Sequence, residues 1–279
     1  MPEAQQAGLA RTPRTRARWL WDGPWALTGN LAKIRVLEDL IGEFPKGGPS
    51  GRARILDVGC AGPSPLNLWE PFFASPEAPP IEVQGVDVDA AGVEAVRRLA
   101  RERGWPQVAR LEVGSAYDLP RLFAPGTFDA VVSTQVLEHL ARPEEFLRGA
   151  AEVTRPGGLC YVTFDSGHFP SHDAAWKRLA RRLLVALGKE RYHERGLTET
   201  EVERMARACG LSTVETRFYN LHDVKRIHNH GVSADRKNRL AEVWMELEDF
   251  LNDDRAFLER GRHWFAGIYI KLRKSESRP

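Results

Sequence analysis

Strand-like and helix-like segments alternate between residues 53 and 164, and this alternation allows only a few folds. Short apolar runs predict buried strands, and the amphipathic stretches between them predict helices; the runs are ARILDV, IEVQGVD, QVARLEV, FDAVVS and GLCYVTF. Strands joined by helices in this way require right-handed crossovers and a parallel sheet with helices on both faces. We therefore predict an α/β fold in which ligands bind beyond the carboxyl ends of the strands.

The alternation breaks after Asp165 and resumes near residue 198. The stretch AAWKRLARRLLVALG predicts an inserted basic amphipathic helix, TETEVERMARACG a further helix, LSTVETRFYN a strand and HWFAGIYIKLR a closing strand. A long helix over about 235–258 is expected to be core or a dimer surface. We expect a flexible basic tail at 1–18 and one domain at 19–279. Within that domain we expect a core at 53–165, a helical cap insertion at 166–197, and a C-terminal part at 198–279 that completes the sheet.

Composition excludes several classes of partner. The 40 basic and 38 acidic residues leave a net charge of +2, which gives no argument for a nucleic-acid partner. No apolar run approaches the roughly 20 residues that span a bilayer. The basic inserted helix is expected to be a lid over the active site, and peripheral contact with an anionic membrane is the alternative. The three cysteines have no metal or redox spacing, which favours a cytoplasmic location.

The loop in ILDVGCAGPSPL, residues 55–66, departs from two nucleotide-binding patterns. The dinucleotide pattern G-x-G-x-x-G would need glycine where Ala61 and Ser64 stand. The pattern D-x-G-x-G-x-G fails at two glycines as well, at Ala61 and Pro63. A carboxylate at Asp57 suits a cationic ligand such as an ammonium or sulfonium and opposes a pyrophosphate. The loop therefore disfavours a nicotinamide cofactor, although Asp57 could instead only cap the turn.

Three stretches, in the order ILDVGCAGPSP, VQGVDVDAAGVEAVRR and FDAVVSTQVLEHLARPEEFLRGAAEVTRPGGLCYVTF, resemble the class I S-adenosylmethionine-dependent methyltransferases. These enzymes have a seven-stranded, Rossmann-like fold. The similarity is closest to the branch that acts on small molecules, including enzymes of ubiquinone and menaquinone biosynthesis. It covers roughly residues 53–220, and the V-L-E-H-L and R-P-G-G signatures make it specific. The resemblance implies S-adenosylmethionine as the cofactor.

The resemblance also implies which residues hold the cofactor. Asp57 and the neighbouring loop backbone would bind its methionine end, and Asp87 would bind both ribose hydroxyls, with Asp89 as the fallback. Ser115 stands where the family has an aspartate that contacts the adenine. Tyr117 could stack on the adenine or be an ordinary core tyrosine. The complete predicted set is Asp57, Gly59, Ala61, Gly62, Asp87, Val88, Ser115, Ala116, Tyr117, Thr134 and Gln135.

Methyl transfer is an in-line displacement, so a base is needed only when the nucleophile holds a proton that it does not lose unaided. The candidate catalytic residues His139, Asp165 and His168, together with Glu138, follow the fourth and fifth predicted strands. His139 could equally serve only as a hydrogen-bonding residue at a helix start, and His168 as a substrate contact. Six of the eight histidines fall between residues 168 and 230, where a polar substrate pocket is favoured over a metal site.

The predicted function is methyl transfer to an O, N or C nucleophile of a small molecule, such as a natural product, quinone precursor or sugar. The alternative is a non-catalytic, methyltransferase-like binding or scaffold protein, because Ala61, Pro63 and Ser115 depart from the family pattern. A nicotinamide enzyme is a weaker alternative. The expected partner is a small-molecule acceptor, with no nucleic acid and no stable membrane insertion, and a homodimer is possible.

Overall fold

The computed structural model describes residues 18–21, 31–61, 69–169, 183, 194–233 and 236–276. One sheet contains seven strands: β1 Ala53–Val58, β2 Ile81–Asp87, β3 Val108–Val113, β4 Phe128–Thr134, β5 Thr154–Asp165, β6 Leu211–Leu221 and β7 Phe265–Lys274. Their order is β3-β2-β1-β4-β5-β7-β6. Strand β7 is antiparallel to both of its neighbours, and the other pairings are parallel. The predicted seven-stranded, mostly parallel Rossmann-like sheet is confirmed.

The helices in the described part of the chain connect these strands. They are α1 Arg18–Trp21, α2 Leu31–Glu43, α3 Glu70–Ala74, α4 Ala90–Arg103, α5 Leu119–Leu122, α6 Pro143–Val153, α7 Glu199–Ala208, α8 His222–His230, α9 Lys237–Asp253 and α10 Arg255–Gly261. Short 3-10 turns follow β3 at Ala116–Asp118 and β4 at Leu137–His139. The predicted cap helix lies outside the described residues apart from Leu183.

Local sequence sets several of these helix ends. Asp89 caps the start of α4 by accepting from Ala91 N, and Gly104 ends that helix with a left-handed φ of 64°. Thr198 and Glu201 form a reciprocal capping box at the start of α7. Because these caps are formed by residues close in the sequence, the ends of both helices lie within two residues of the predicted ends.

Helices cover both faces of the sheet, as predicted. Successive strand residues point to opposite faces, so Ile55 packs on one side and Leu56 on the other. The first side contains residues of α2, α4 and α9, and the second contains residues of α6 and α7. The carboxyl ends of the parallel strands are therefore held between two packed layers.

Two helix predictions were wrong in detail. The expected single helix over 235–258 is two helices, because Asp254 adopts an extended backbone and its side chain accepts from Phe257 N, which starts α10. His222, His228 and His230 lie on α8, a helix that the sequence analysis did not predict. His228 is buried there and its ring lies 5.7 Å from that of Trp244. The helical conformation of residues 222–230 therefore depends on packing against α9 rather than on local helix propensity.

The three cysteines are free thiols. Burial raises the pKa of the Cys160 thiol to about 11. Burial, followed by the charges of Asp57 and Asp87, also raises the pKa of Cys60. In the described residues no helix is both long and apolar enough to cross a membrane.

Candidate active site

Asp57 is the penultimate residue of β1 and is 4% exposed. Its Oδ2 accepts a 2.7 Å hydrogen bond from the indole nitrogen of Trp69, which lies at the start of α3. Sequence reasoning missed Trp69, whose only signal was a tryptophan at the beginning of the helix that follows the loop. The bond fixes the Asp57 carboxylate at the base of that loop.

The loop after β1 turns sharply at Gly59. This residue has φ +88° and donates its N–H to the carbonyl of Val86 at 2.9 Å. A Cβ at this position would collide with the side chain of Val136, which follows β4. Glycine is therefore required both for its backbone conformation and for the close approach of two loops. Gly62 lies outside the described residues.

Asp87 joins the loops after β1 and β2. Its Oδ2 accepts from Ala61 N and its Oδ1 from Asp89 N, each at 2.9 Å. The side chain of Asp89 caps α4 instead of turning back to the loop. Because each carboxylate oxygen can accept a further hydrogen bond, Asp87 keeps acceptor capacity at the sheet edge. The geometry favours Asp87 over the fallback Asp89 as the ribose acid.

Val88 extends the same loop and is 72% exposed. It follows the strand directly and presents an apolar side chain at the rim of the sheet, beside the partly buried Asp87. A neighbouring apolar surface and carboxylate suit a nucleoside, which has a flat base and hydroxyl donors. The inclusion of Val88 in the cofactor set remains a prediction.

The turn after β3 contains the predicted adenine contacts. Ser115 Oγ accepts from Tyr117 N at 3.2 Å, which starts the 3-10 turn, and Ala116 is buried. Tyr117 Oη accepts from the backbone N–H of Arg142, whose guanidinium carbon lies 4.4 Å from the ring centroid. One face of the Tyr117 ring is therefore covered by Arg142. Adenine stacking on the other face remains a prediction.

Gln135 leaves β4 in the left-handed conformation, with φ 59°. Its backbone N–H donates to Thr163 O at 2.9 Å, and its side-chain Nε2 donates to Tyr219 Oη at 2.9 Å. Thr134, immediately before it, is paired with Thr163 in the sheet. Left-handed non-glycine residues are uncommon and are enriched at functional sites. The tertiary structure thus locks Gln135 at the sheet edge where the acceptor is expected.

Carboxyl groups collect beyond β4 and β5. Glu138 is 1% exposed, and burial raises its pKa to about 8, with the negative charge of Asp165 acting in the same direction. Burial and then the charge of Glu194 also raise the pKa of the partly buried Asp165. His139 is exposed, and its charge partly offsets the rise at Asp165. The structure thus groups Glu138, His139 and Asp165, three of the four candidates that follow the fourth and fifth strands, and their catalytic roles remain predictions.

His168 makes a different set of contacts. Its Nε2 lies 2.7 Å from Glu199 Oε2, and Glu199 Oε1 accepts from Arg262 at 2.6 Å. The Arg262 guanidinium also lies over the ring of Phe218. His168 therefore ties the segment after β5 to the start of α7, and Arg262 ties the start of α7 to the segment before β7. The role of His168 in substrate contact remains a prediction. In the described part of the chain no group of three or more His, Cys, Asp and Glu side chains could hold a metal ion.

Comparison with known proteins finds methyltransferases among the sequences and structures that resemble this chain. Residues 56–162 match the model of a methyltransferase domain. A ubiquinone biosynthesis O-methyltransferase of Caulobacter sp. (strain K31) is 30% identical over 172 residues, covering 56% of this chain and 61% of that protein. Ajmaline N-methyltransferase of Rauvolfia serpentina is 28% identical over 132 residues, covering 46% and 42%. The chain thus spans less than two thirds of the length of these curated relatives.

A solved structure shares the fold over most of the chain. Geranyl diphosphate C-methyltransferase from Streptomyces coelicolor A3(2) aligns with 87% of this chain and 79% of its own, with a TM-score of 0.55 and 13% sequence identity. That likeness concerns the fold, and the sequence match concerns residues 56–162. The order of the seven strands is that of a Rossmann-like methyltransferase fold, and the matched part of the chain is similar in sequence to methyltransferases.

Proposed function

We propose that this protein transfers a methyl group from S-adenosylmethionine to a nucleophile of a small molecule. The observation that supports this most directly is the position of Asp87. Its carboxylate lies at the carboxyl end of β2 and is bonded to the loop after β1. Ligands of open α/β sheets bind in the crevice at this edge.

The chemistry of the site fits this cofactor. S-adenosylmethionine presents an ammonium group and two adjacent ribose hydroxyls, all of which are hydrogen-bond donors that carboxylates accept. Asp57 and Asp87 end neighbouring strands, which are paired in register at Asp57 and Gly85. A pyrophosphate placed here would face two carboxylates, which argues against a nicotinamide cofactor. When bound, S-adenosylmethionine supplies a methyl group on a positively charged sulfur.

The chain's own residues would then align the acceptor and handle its proton. Thr134 and Gln135 end β4, and Asp165 ends β5 beside them in the sheet. The named relatives methylate oxygen and nitrogen, and the structural neighbour is a C-methyltransferase, so these similarities do not select the atom. Carboxyl groups at the acceptor end favour a nucleophile that loses a proton. A phenolic quinone precursor or another hydroxylated metabolite is the acceptor that we propose.

A second candidate function is binding without catalysis. Both oxygens of Asp87 already accept backbone N–H groups, and Ser115 uses its hydroxyl to cap a turn. A methyltransferase-like scaffold that had lost its cofactor would close its site in this manner. This alternative predicts an intact fold with neither cofactor binding nor turnover.

Calorimetric titration with S-adenosylmethionine and S-adenosylhomocysteine tests the proposal, and NADH is the control ligand. We expect saturable binding of both sulfur compounds at micromolar concentration and none of NADH. Formation of S-adenosylhomocysteine with a panel of phenols, alcohols and amines then tests catalysis. Failure of both sulfur compounds to bind would overturn the proposal, and binding without turnover of any acceptor would favour the scaffold.

We infer further that small molecules are the main partners. The near balance of charge supports the absence of a nucleic-acid partner, which electrophoretic mobility shifts would check. A homodimer would use the exposed apolar face of α9, where Val243, Leu247 and Phe250 are 44, 41 and 72% exposed. Light scattering would measure this assembly. The free thiols support a reducing, cytoplasmic location.

A further inference from the structure

The side chain of Asp57 faces an apolar layer of the core. Its neighbours Leu56 and Val58 pack in one hydrophobic layer. Side chains alternate along β1, so Asp57 faces the other layer, which contains Ile55 and Trp69. A carboxylate buried against apolar side chains is costly unless it accepts hydrogen bonds. The fold therefore has to provide a hydrogen-bond donor at this position.

Trp69 provides a donor from that apolar layer. Its indole nitrogen donates to Asp57 Oδ2 at 2.7 Å, a distance typical of a hydrogen bond to a charged group. The indole N–H is only a donor, so the bond stabilises the ionised carboxylate more than the protonated acid. Each carboxylate oxygen can accept more than one hydrogen bond. Asp57 therefore retains the capacity to accept from a ligand while Trp69 holds it.

The Trp69 indole is held in one position by its surroundings. The residue is fully buried, and its carbonyl accepts from the backbone N–H groups of Phe72 and Phe73 at the start of α3. Its ring lies 6.0 Å from that of Phe72 at an angle of 64°. Phe72 in turn packs edge-on against Trp19 at 5.9 Å. The donor that Asp57 meets is thus fixed by packing before any ligand binds.

We propose that Trp69 is a positioning residue that sets the affinity of the site for the ammonium group of the cofactor. It does so by holding the Asp57 carboxylate ionised and in one orientation, which lowers the cost of ordering that group on binding. This inference rests on the proposed function and divides cofactor binding between two acids. Asp57, held by Trp69, recognises the amino-acid end, and Asp87 recognises the ribose. Loss of the indole N–H should therefore affect only ligands that contain the amino-acid end.

Calorimetric titration of the full chain with two ligands separates these contributions. S-adenosylhomocysteine contains the nucleoside and the amino-acid end, whereas 5′-methylthioadenosine contains the nucleoside alone. Trp69→Phe keeps an aromatic ring but removes the N–H. We expect this variant to bind S-adenosylhomocysteine roughly 10-fold or more weakly than wild type and to bind 5′-methylthioadenosine with unchanged affinity. An equal loss for both ligands, or no loss for either, overturns the proposal.

The matched control is Trp244→Phe on α9. Trp244 is 1% exposed, and its indole nitrogen also donates a 2.7 Å hydrogen bond to a buried carboxyl group, that of Glu248. Glu248 bonds the backbone of Leu221 in β6, and β4, β5 and β7 lie between β6 and β1. Both variants should lose stability, because each removes ring volume and one such bond. Only Trp69→Phe should lose affinity for S-adenosylhomocysteine, and an equal loss in Trp244→Phe overturns the role of Trp69.

Nuclear magnetic resonance of the wild-type chain tests the proposal even if Trp69→Phe does not fold. Among the indole N–H signals of the eight tryptophans, that of Trp69 is identified as the one that Asp57→Asn displaces most. We expect S-adenosylhomocysteine to shift this signal and 5′-methylthioadenosine to leave it in place, because only the former contains the ammonium that Asp57 would bind. A signal that does not respond to S-adenosylhomocysteine overturns the proposal. Failure of the wild-type protein to bind either ligand would instead overturn the proposed function itself.

Discussion

Gln135 Nε2 donates a 2.9 Å hydrogen bond to Tyr219 Oη, although the two residues are 84 positions apart in the sequence. Gln135 follows β4 and Tyr219 lies in β6, so the bond passes across β5 and β7. Tyr219 is paired in the sheet with Gly267, and Gly267 with Asp165. The glycine leaves room for the phenol to lie over β7 and reach the edge where the acceptor is expected.

Replacing Gly267 by alanine should therefore destabilise the fold. A Cβ there would collide with the Tyr219 ring, which is buried and has no free direction in which to move. Overpacking of this kind costs about 1–3 kcal/mol in the free energy of unfolding. Urea denaturation of the wild type and of Gly267→Ala would measure the difference.

The matched control is Gly42→Ala in helix α2. A Cβ at Gly42 meets no heavy atom within 4 Å, and its φ lies outside the left-handed region. Alanine in a helix is more stable than glycine by roughly 0.5–1 kcal/mol, so this variant should gain stability. If the two substitutions had the same effect, Gly267 would not be making room for Tyr219.

Asp87→Asn should weaken the binding of S-adenosylmethionine. It removes the charged acceptor for the ribose hydroxyls, and hydrogen bonds to charged groups are worth about 1.5–3 kcal/mol. That range corresponds to a roughly 10- to 100-fold loss of affinity by calorimetry.

Asp89→Ala is the control for that variant. Loss of this N-cap should lower the free energy of unfolding by about 1 kcal/mol while the affinity for the cofactor stays the same. An unchanged affinity in Asp87→Asn together with a reduced one in Asp89→Ala would reassign the ribose acid to Asp89.

Stability should depend on pH through Glu248. This residue is fully buried, and its Oε1 accepts from Leu221 N at 2.9 Å and from Trp244 Nε1 at 2.7 Å. Burial is the main cause that raises its pKa from 4.5 to about 7. Between these two values the folded protein retains a proton that the unfolded chain releases. The contribution of Glu248 to the stability of the fold is therefore complete below pH 4.5, and it is lost as the pH rises through about 7.

Glu248→Gln keeps the acceptor oxygen and cannot titrate. Its free energy of unfolding should rise relative to wild type as the pH increases across this window, by up to about 1.4 kcal/mol per pH unit. Urea denaturation at a series of pH values would show the trend. Glu246→Gln, exposed on the same helix, should follow the wild-type profile. Parallel curves for Glu248→Gln and wild type would contradict the assignment.

His168→Ala should mainly affect stability. The substitution removes the 2.7 Å contact with Glu199 that ties the segment after β5 to the start of α7. We expect the free energy of unfolding to fall by about 1–2 kcal/mol, since the contact involves a partly buried charged group. The exposed His230→Ala should leave it unchanged. Loss of methyl transfer by His168→Ala with full stability would instead support the substrate contact predicted from the sequence.

The positions of the acids predicted to contact the cofactor were largely predictable from the sequence. Asp57 and Asp87 stand at the ends of apolar runs, and strand ends of a parallel sheet meet at one edge. The residues on the acceptor side were less predictable. Asp165 also follows an apolar run and could be placed at a strand end, but Tyr219 lies in the last third of the chain and has no local signal. Trp69, which holds Asp57, was missed because a tryptophan at a helix start does not by itself indicate a hydrogen bond to a strand residue.

By itself, the sequence determined the alternation of elements, most helix caps and the acids that follow β1, β2 and β5, because periodicity and capping depend on neighbours within a few residues. Only the tertiary structure decided that β7 lies between β5 and β6 and that Gln135 meets Tyr219. It also decided that Glu138 is buried. Burial and long-range pairing depend on how the whole sheet packs, and neighbouring residues in the sequence do not specify that packing.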